Sequence, residues 1–250
     1  MKVLSINGFT KSGKTTTAEN IIQELKKRGF SVGSVKEIHY EAFKIDTEGT
    51  NTDRHRKAGA SLVTARGIYE TDILFKEMLP IDKILSFYDH DYVILEGVND
   101  INAPKIITAH NTEEIDERID YRTLLVSGVI AKELREYRGF EVINCITETE
   151  RLVDKIEETV PDLLPDFDPE CCGACGYDCH ALLSGIISGQ RKREDCVVGN
   201  ADIRLKVGGE DVKMVPFVQN ILRNAVIGIV KELRGYMDGA AVEISIGNKK

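Results

Sequence analysis

The sequence predicts an α/β fold, a mostly parallel sheet flanked by helices, with smaller appendages toward the C-terminus. Three observations carry this. A short apolar run, Val3-Leu4-Ser5-Ile6, feeds directly into a glycine turn and then a helical stretch. Residues 1 to 160 alternate β-rich runs with helical ones, the pattern of strands joined by crossover helices. Tyr92-Val93-Ile94-Leu95 is apolar throughout, as a strand covered on both faces must be.

The elements follow in order. The first helix opens at Gly13-Lys14-Thr15 and continues through Ile21, Ile22 and Leu25. Ser31 to Lys36 reads as a second strand. Ser61–Thr64 and Ile68–Phe75 read as a strand pair with a turn at Arg66-Gly67, in a stretch with more strands than helices. Leu79 to Tyr88 reads as a helix, Tyr92–Leu95 and Lys105–Thr108 as buried strands. Leu124–Val126 and Val142–Ile143 read as further strands separated by a charged helix, Ala131 to Arg138; Thr147 to Thr159 closes the first domain as a helix. Three prolines between Val160 and Pro169 mark a linker. We therefore expect three parts: residues 1–160, a linker with a cysteine module over 161–200, and a small α+β unit over 201–250. In the last, Ile203–Val207 and Val212–Val215 read as a hairpin about Gly208-Gly209. A helix from Phe217 to Tyr236 follows Pro216, and Val242–Ile246 is a final strand, giving β-β-α-β.

Bulk chemistry excludes some functions. Lys+Arg 33 against Asp+Glu 41 leaves a net charge of −8, which disfavours nucleic acid as a partner. No apolar run has the length of a membrane span. Met1-Lys2-Val3 enters a core strand with no secretory leader, so a cytoplasmic setting is expected. In that reducing compartment the 6 cysteines favour metal ligation over structural disulfides.

Residues 8 to 15, Gly-Phe-Thr-Lys-Ser-Gly-Lys-Thr, match G-x-x-x-x-G-K-[ST], the phosphate-binding P-loop. Gly8 and Gly13 permit the turn and the close approach of backbone to phosphate. Thr10, Lys11, Ser12 and Thr16 flank the cradle. Lys14 would reach the β- and γ-phosphates and the Thr15 hydroxyl would bind Mg²⁺. Such a site needs an acidic residue at the end of a buried strand, and Glu96 closes Tyr92–Leu95. A polar patch follows the second strand, with Lys36, Glu37, His39, Asp46, Asn51 and Arg56. It reads as a loop that closes over a γ-phosphate or binds a second phosphorylated ligand, or as an ordinary polar surface. No N-K-x-D motif is present, so the base is not read from local chemistry.

Together these residues resemble the MobB family, P-loop adaptors of molybdopterin guanine dinucleotide synthesis, over residues 1 to about 160. The resemblance lies in Gly8–Thr17, the Lys36/His39 strand end, Asp46 and Gly49, Arg56 with Ala58-Gly59-Ala60, and Leu95-Glu96-Gly97 followed by Pro104-Lys105-Ile106. It implies GTP, Mg²⁺, weak hydrolysis with Lys14 and Glu96 at the reacting end, and a homodimer. It also implies partnership with a MobA-like guanylyltransferase acting on the molybdopterin cofactor. The family's histidine-rich turn is here Glu37, His39 and Tyr40, and its Lys-Asp-Ser turn is Thr50-Asn51-Thr52.

The cysteines add a second feature. Cys172-x2-Cys175-x3-Cys179-x16-Cys196 is a spacing that suits a [4Fe–4S] cluster or a structural zinc. Cys171 is a further candidate, and Cys145 reads as a small core residue. The flanking residues, with a helix over Ala181–Ile187, resemble a small four-cysteine iron–sulfur domain, which implies the cluster, with zinc the alternative. The expected function is a GTP-binding adaptor in molybdenum cofactor synthesis that carries an iron–sulfur cluster and serves a molybdenum or tungsten enzyme. The alternatives are a redox-responsive, nucleotide-dependent scaffold and a small-molecule kinase; against the kinase, no clear arginine-rich lid is seen, and Arg118 and Arg122 lie only in a charged segment where one could stand.

Overall fold

A computed structural model describes residues 1–40, 43–167, 172–173, 175–196, 198, 203, 205–208, 210–212, 214–237 and 242–244. They form two compact units, one of residues 1–164 with 180–193 and one of residues 165–179 with 194–250.

In the first unit, β1 (Lys2–Gly8) leads into α1 (Lys14–Lys27) and β2 (Val32–Lys36). A short helix, α2 (Asn51–Lys57), precedes an antiparallel pair, β3 (Leu62–Arg66) with β4 (Thr71–Phe75). Then come α3 (Ile81–Leu85), β5 (Tyr92–Glu96), β6 (Lys105–Thr108), α4 (Thr112–Asp116) and β7 (Thr123–Ser127). The minimal hairpin β8 (Glu136–Tyr137) with β9 (Phe140–Glu141) and the helix α5 (Thr149–Thr159) follow. Five strands make one parallel sheet in the order β2-β5-β1-β6-β7. Every residue of β5 and β7 is buried, as helices on both faces require.

Alternation along the strands divides the core. Leu4, Ile6, Ile94, Ile106 and Leu125 face α1 and α5, meeting Ile21, Leu25, Leu152 and Ile156. Val3, Val93 and Leu95 face the other way, toward Leu85, Val98 and Ala103. Charges join the two helices on the first face: Arg28 bonds Glu24, Asp154 and Glu157 at 3.0, 2.7 and 2.6 Å. Gly33 lets the Tyr88 ring lie flat over β2, since a Cβ there would stand 2.3 Å from it.

Several expected elements differ. The helix over Ala131–Arg138 is absent: a 3₁₀ turn, Val129–Lys132, gives way to the β8–β9 hairpin. Arg138 and Gly139 have φ of 51° and 81°, the double left-handed turn that joins two short antiparallel strands. Leu134, Tyr137 and Phe140 mimic helical spacing, yet they pack on the cluster of Ile115, Val126 and Ile130 from this hairpin. The helix expected over Leu79–Tyr88 is only α3, headed by Pro80. Val142 makes a single parallel bridge to Val126 where a strand is expected. Asn111 caps α4, a helix absent from the expectations, by accepting from the Glu114 N–H at 2.9 Å.

A further helix, α6 (Cys179–Ile187), covers the one expected over Ala181–Ile187. In the second unit, β10 (Leu205–Val207) and β11 (Glu210–Val212) form a hairpin as expected, but its second strand comes two residues before Val212–Val215, the turn being tighter. The helix α7 (Pro216–Val230) opens on its proline and ends short of Tyr236. Val242, Glu243 and Ile244 have no regular structure, and the remainder of the expected last strand lies outside the described residues. Among the described residues no helix is long and apolar enough to cross a membrane.

Ile94 is fully enclosed between β1, β2 and α1, so Ile94→Ala leaves a cavity that the rigid sheet cannot close. We predict a loss of about 2–5 kcal/mol, read from the midpoint of urea unfolding.

Candidate phosphate site

The loop between β1 and α1 is built around its glycines. A Cβ on Gly8 would stand 2.2 Å from the Thr108 carbonyl oxygen and 2.6 Å from Ser12 Oγ. Gly13, at φ 107°, backs onto Gly128, so that a Cβ would lie 3.0 Å from its Cα. Gly128 in turn has φ 87° and would bring a Cβ within 2.3 Å of the Ser12 carbonyl oxygen. Lys11 also takes a left-handed turn, φ 62°, with its side chain exposed. Ser12 is fully buried; its hydroxyl bonds the Phe9 carbonyl at 2.9 Å and Thr108 Oγ1 at 2.7 Å. It therefore clamps the loop to β6 from below and does not point outward.

Lys14 lies along the loop, donating to the carbonyls of Gly8 and Phe9 at 3.1 and 2.6 Å. Burial pushes its ammonium below the usual lysine range. Glu96 opposes that shift, and the charges of Arg118 and Lys36 add to it. The Thr15 hydroxyl donates to Glu96 Oε1 at 2.7 Å. The Lys36 ammonium donates to the same oxygen at 2.8 Å and to Thr15 Oγ1 at 3.2 Å. The ends of β2 and β5 and the first turn of α1 thus meet at one carboxylate oxygen. Thr10 and Thr16 are exposed.

The polar patch is organised differently. Asp46 accepts from Thr50 and Thr52, both at 2.8 Å, and faces Arg56 at 3.6 Å. Thr50 caps α2 through the Asp53 N–H. Asp46 and Arg56 are therefore engaged in holding α2, while Asn51, its first residue, is exposed. His39 is 73% exposed and lies 3.7 Å from Glu37. Lys36, His39, Asp46 and Arg56 nonetheless share one open groove of about 1170 Å³, with Phe43 and Phe75 on its apolar side.

A family model described as "Molybdopterin guanine dinucleotide synthesis protein B", MobB, matches residues 3–130, just over half of the chain. The chain belongs to the MobB family. A Methanocaldococcus jannaschii protein, provisionally named a molybdopterin-guanine dinucleotide biosynthesis adapter protein, is 26% identical over 257 residues, spanning 100% of this chain and 99% of its own. The Haemophilus influenzae adapter protein of the same name is 32% identical over 128 residues, covering 47% of this chain and 71% of its own. The crystal structure of Bacillus subtilis MobB aligns with a TM-score of 0.52 at 19% identity, covering 62% of this chain and 98% of that one. The parallel sheet with helices on both faces is thus the MobB fold. The matched MobB residues end before the cysteines of the second unit, whereas the Methanocaldococcus relative runs through them.

In that second unit Cys172, Cys175, Cys179 and Cys196 are free thiols, the last two buried. Burial pushes the Cys179 thiol up, opposed by a hydrogen bond from the Phe167 backbone and reinforced by nearby Cys196 and Cys172. Cys171 lies outside the described residues. As the described side chains stand, no three His, Cys, Asp or Glu groups converge on one metal position. Cys145 is a buried core residue of the MobB part, contacted by the Thr17 hydroxyl at 3.4 Å.

Sequence reasoning did not single out Thr108 and Gly128, which back the loop, or place Arg118 beside Phe9. Their only signal is position at the ends of β6, β7 and α4, and that becomes informative once the strand order is known. Gly13→Ala should cost about 1–2 kcal/mol of stability from the left-handed backbone, with the close contact to Gly128 adding to it. Gly29→Ala, with φ 93° but nothing within 4 Å, isolates the backbone share in the same urea titration.

Proposed function

We propose that this MobB-family chain is a GTP-binding adaptor of molybdopterin guanine dinucleotide synthesis. One observation carries the nucleotide reading: at the foot of a glycine loop, Thr15 and Lys36 meet on Glu96, with Lys14 laid along the loop carbonyls. Phosphates would take the loop N–H groups and draw Lys14 off the Gly8 and Phe9 carbonyls. A hydroxyl beside a carboxylate at this point is a hard-oxygen donor pair that suits Mg²⁺, which Thr15 and Glu96 would hold, and the ion would neutralise charge on the phosphates. Lys36 holds positive charge at the same oxygen and would give up part of that contact to an incoming cation.

Glu96 in this role is no free base, since its near oxygen already accepts from a hydroxyl and an ammonium. Hydrolysis by the chain alone is therefore slow, which fits an adaptor. The groove brings Lys36, Lys44 and Arg56 together with Tyr40, Phe43 and Phe75, and carboxylates such as Asp46 and Glu77 also line it; cations and rings of this kind suit a flat phosphorylated ligand such as molybdopterin. A MobA-like guanylyltransferase and a second copy of the chain are the partners this reading entails. The chain should bind GTP with Mg²⁺ in preference to ATP. Lys14→Ala should weaken that binding at least tenfold, about the loss of one charge-assisted contact. Calorimetric titration decides it, and equal binding by wild type and variant would sink the reading.

The four free thiols of the second unit support a further element, a metal module, proposed as iron–sulfur on the cysteine spacing and the likeness of its flanks. The donor set suits soft metals in kind, and ligation would draw the thiols into their anionic form. Protein purified without air should be brown and carry iron and acid-labile sulfide. Colourless protein with stoichiometric zinc would replace the cluster with a structural metal.

A further inference from the structure

Two arginines stand in the charged stretch after α4, and they are used differently. Arg122 is committed to structure: it pairs with Asp120 at 2.7 Å and donates to the carbonyls of Asn99 and Ile101 at 2.7 and 2.9 Å. Those bonds hold the loop that follows Glu96. The Arg118 guanidinium carbon instead lies 3.8 Å from the ring centre of Phe9, the residue directly after Gly8. Among the described residues its guanidinium has no hydrogen bond or ion pair beyond this stacking, although its charge is felt by Glu114.

The backbone beneath Arg118 is held firmly. Its carbonyl accepts from the Lys105 ammonium, a group 4% exposed that also pairs with Asp120 at 2.7 Å. Its own N–H donates to Ile115 at 2.9 Å. A fixed base with a long, uncommitted side chain is the arrangement of a residue that moves to meet a ligand. The resting contact is a single cation–π stacking on a half-buried ring, without the directed bonds that an anion would offer. A phosphate would offer it paired, charge-assisted bonds in the planar geometry that guanidinium fits. Phe9 also supplies the carbonyl that holds Lys14, so Arg118 and Lys14 flank the same stretch of loop from two sides.

We propose that Arg118 is a third phosphate-binding cation of this site, resting on Phe9 until a nucleoside triphosphate binds and then contacting its terminal phosphate. The proposal rests on the nucleotide reading above. It makes Arg118 the residue that distinguishes a triphosphate from a diphosphate, because only the former reaches it.

The test measures affinity for GTP and GDP, each with Mg²⁺, on the full chain and on Arg118→Ala, Arg118→Lys and Lys14→Ala. Arg118→Ala should weaken GTP about tenfold, the loss expected of one charge-assisted contact, and leave GDP unchanged. Arg118→Lys should recover part of the loss, since charge is retained and the fork is not. If Lys14→Ala loses binding while Arg118→Ala does not, the role of Arg118 falls and the nucleotide site stands. Equal weakening of GTP and GDP by Arg118→Ala also overturns it. A wild-type chain that binds neither nucleotide overturns both readings together.

Discussion

The site depends on the register of three parallel strands. Lys36, Glu96 and Ile6 lie side by side at the ends of β2, β5 and β1. Backbone bonds continue the ladder beyond them, Glu37 to Glu96 and Gly97 to Ile6, at 2.9 and 3.0 Å. Strand alternation then fixes the faces. Tyr92 and Ile94 belong to the cluster under α1, so Glu96, two residues on, turns to the same side. Thr15 opens α1 on that side. A slip of one residue would send Glu96 toward Val98 and Ala103 and bury an unpaired carboxylate among apolar side chains. Burial of both faces of the sheet therefore holds the carboxylate in place more firmly than the bonds it makes.

The loop imposes a second constraint that runs through glycine. Gly8, Gly13 and Gly128 meet where the loop, β6 and the turn after β7 come closest, and each excludes a Cβ for a different reason. The Ser12 hydroxyl closes this layer by bridging Phe9 and Thr108. The loop is thus shaped before any ligand arrives. That lowers the ordering cost of binding an anion, the usual benefit of a preorganised site.

What could be read from the residues was whatever is local. The strand–turn–helix at the N-terminus and the acidic end of Tyr92–Leu95 are each written in a few consecutive residues, and Thr15 and Glu96 meet as that spacing suggests. Ser12 was legible as part of the loop but not as its inward clamp, because its partner Thr108 lies 96 positions away. Asp46 and Arg56 are legible as polar candidates, but not their pairing with each other or the bonds from Thr50 and Thr52 to Asp46 that tie this patch to the start of α2. The segment 131–138 misled because Leu134, Tyr137 and Phe140 keep helical spacing, while Arg138-Gly139 imposes a turn that spacing does not register. Arg118 and Arg122 were indistinguishable as a charged pair. Only the loop carbonyls that Arg122 holds and the ring that Arg118 covers separate them.

Lys36 is shared by the Glu96 site and the groove. Its ammonium bonds Glu96 and Thr15, yet its side chain also lines the groove with His39 and Arg56. A cation cannot serve two anions fully at once in a site this size. An anionic ligand in the groove would draw Lys36 away from Glu96 and leave that carboxylate freer to hold a divalent cation. A divalent cation on Glu96 would, in turn, release Lys36 toward the groove. If both sites fill as proposed above, the two occupancies would favour one another by the same factor, since coupling between binding sites is reciprocal.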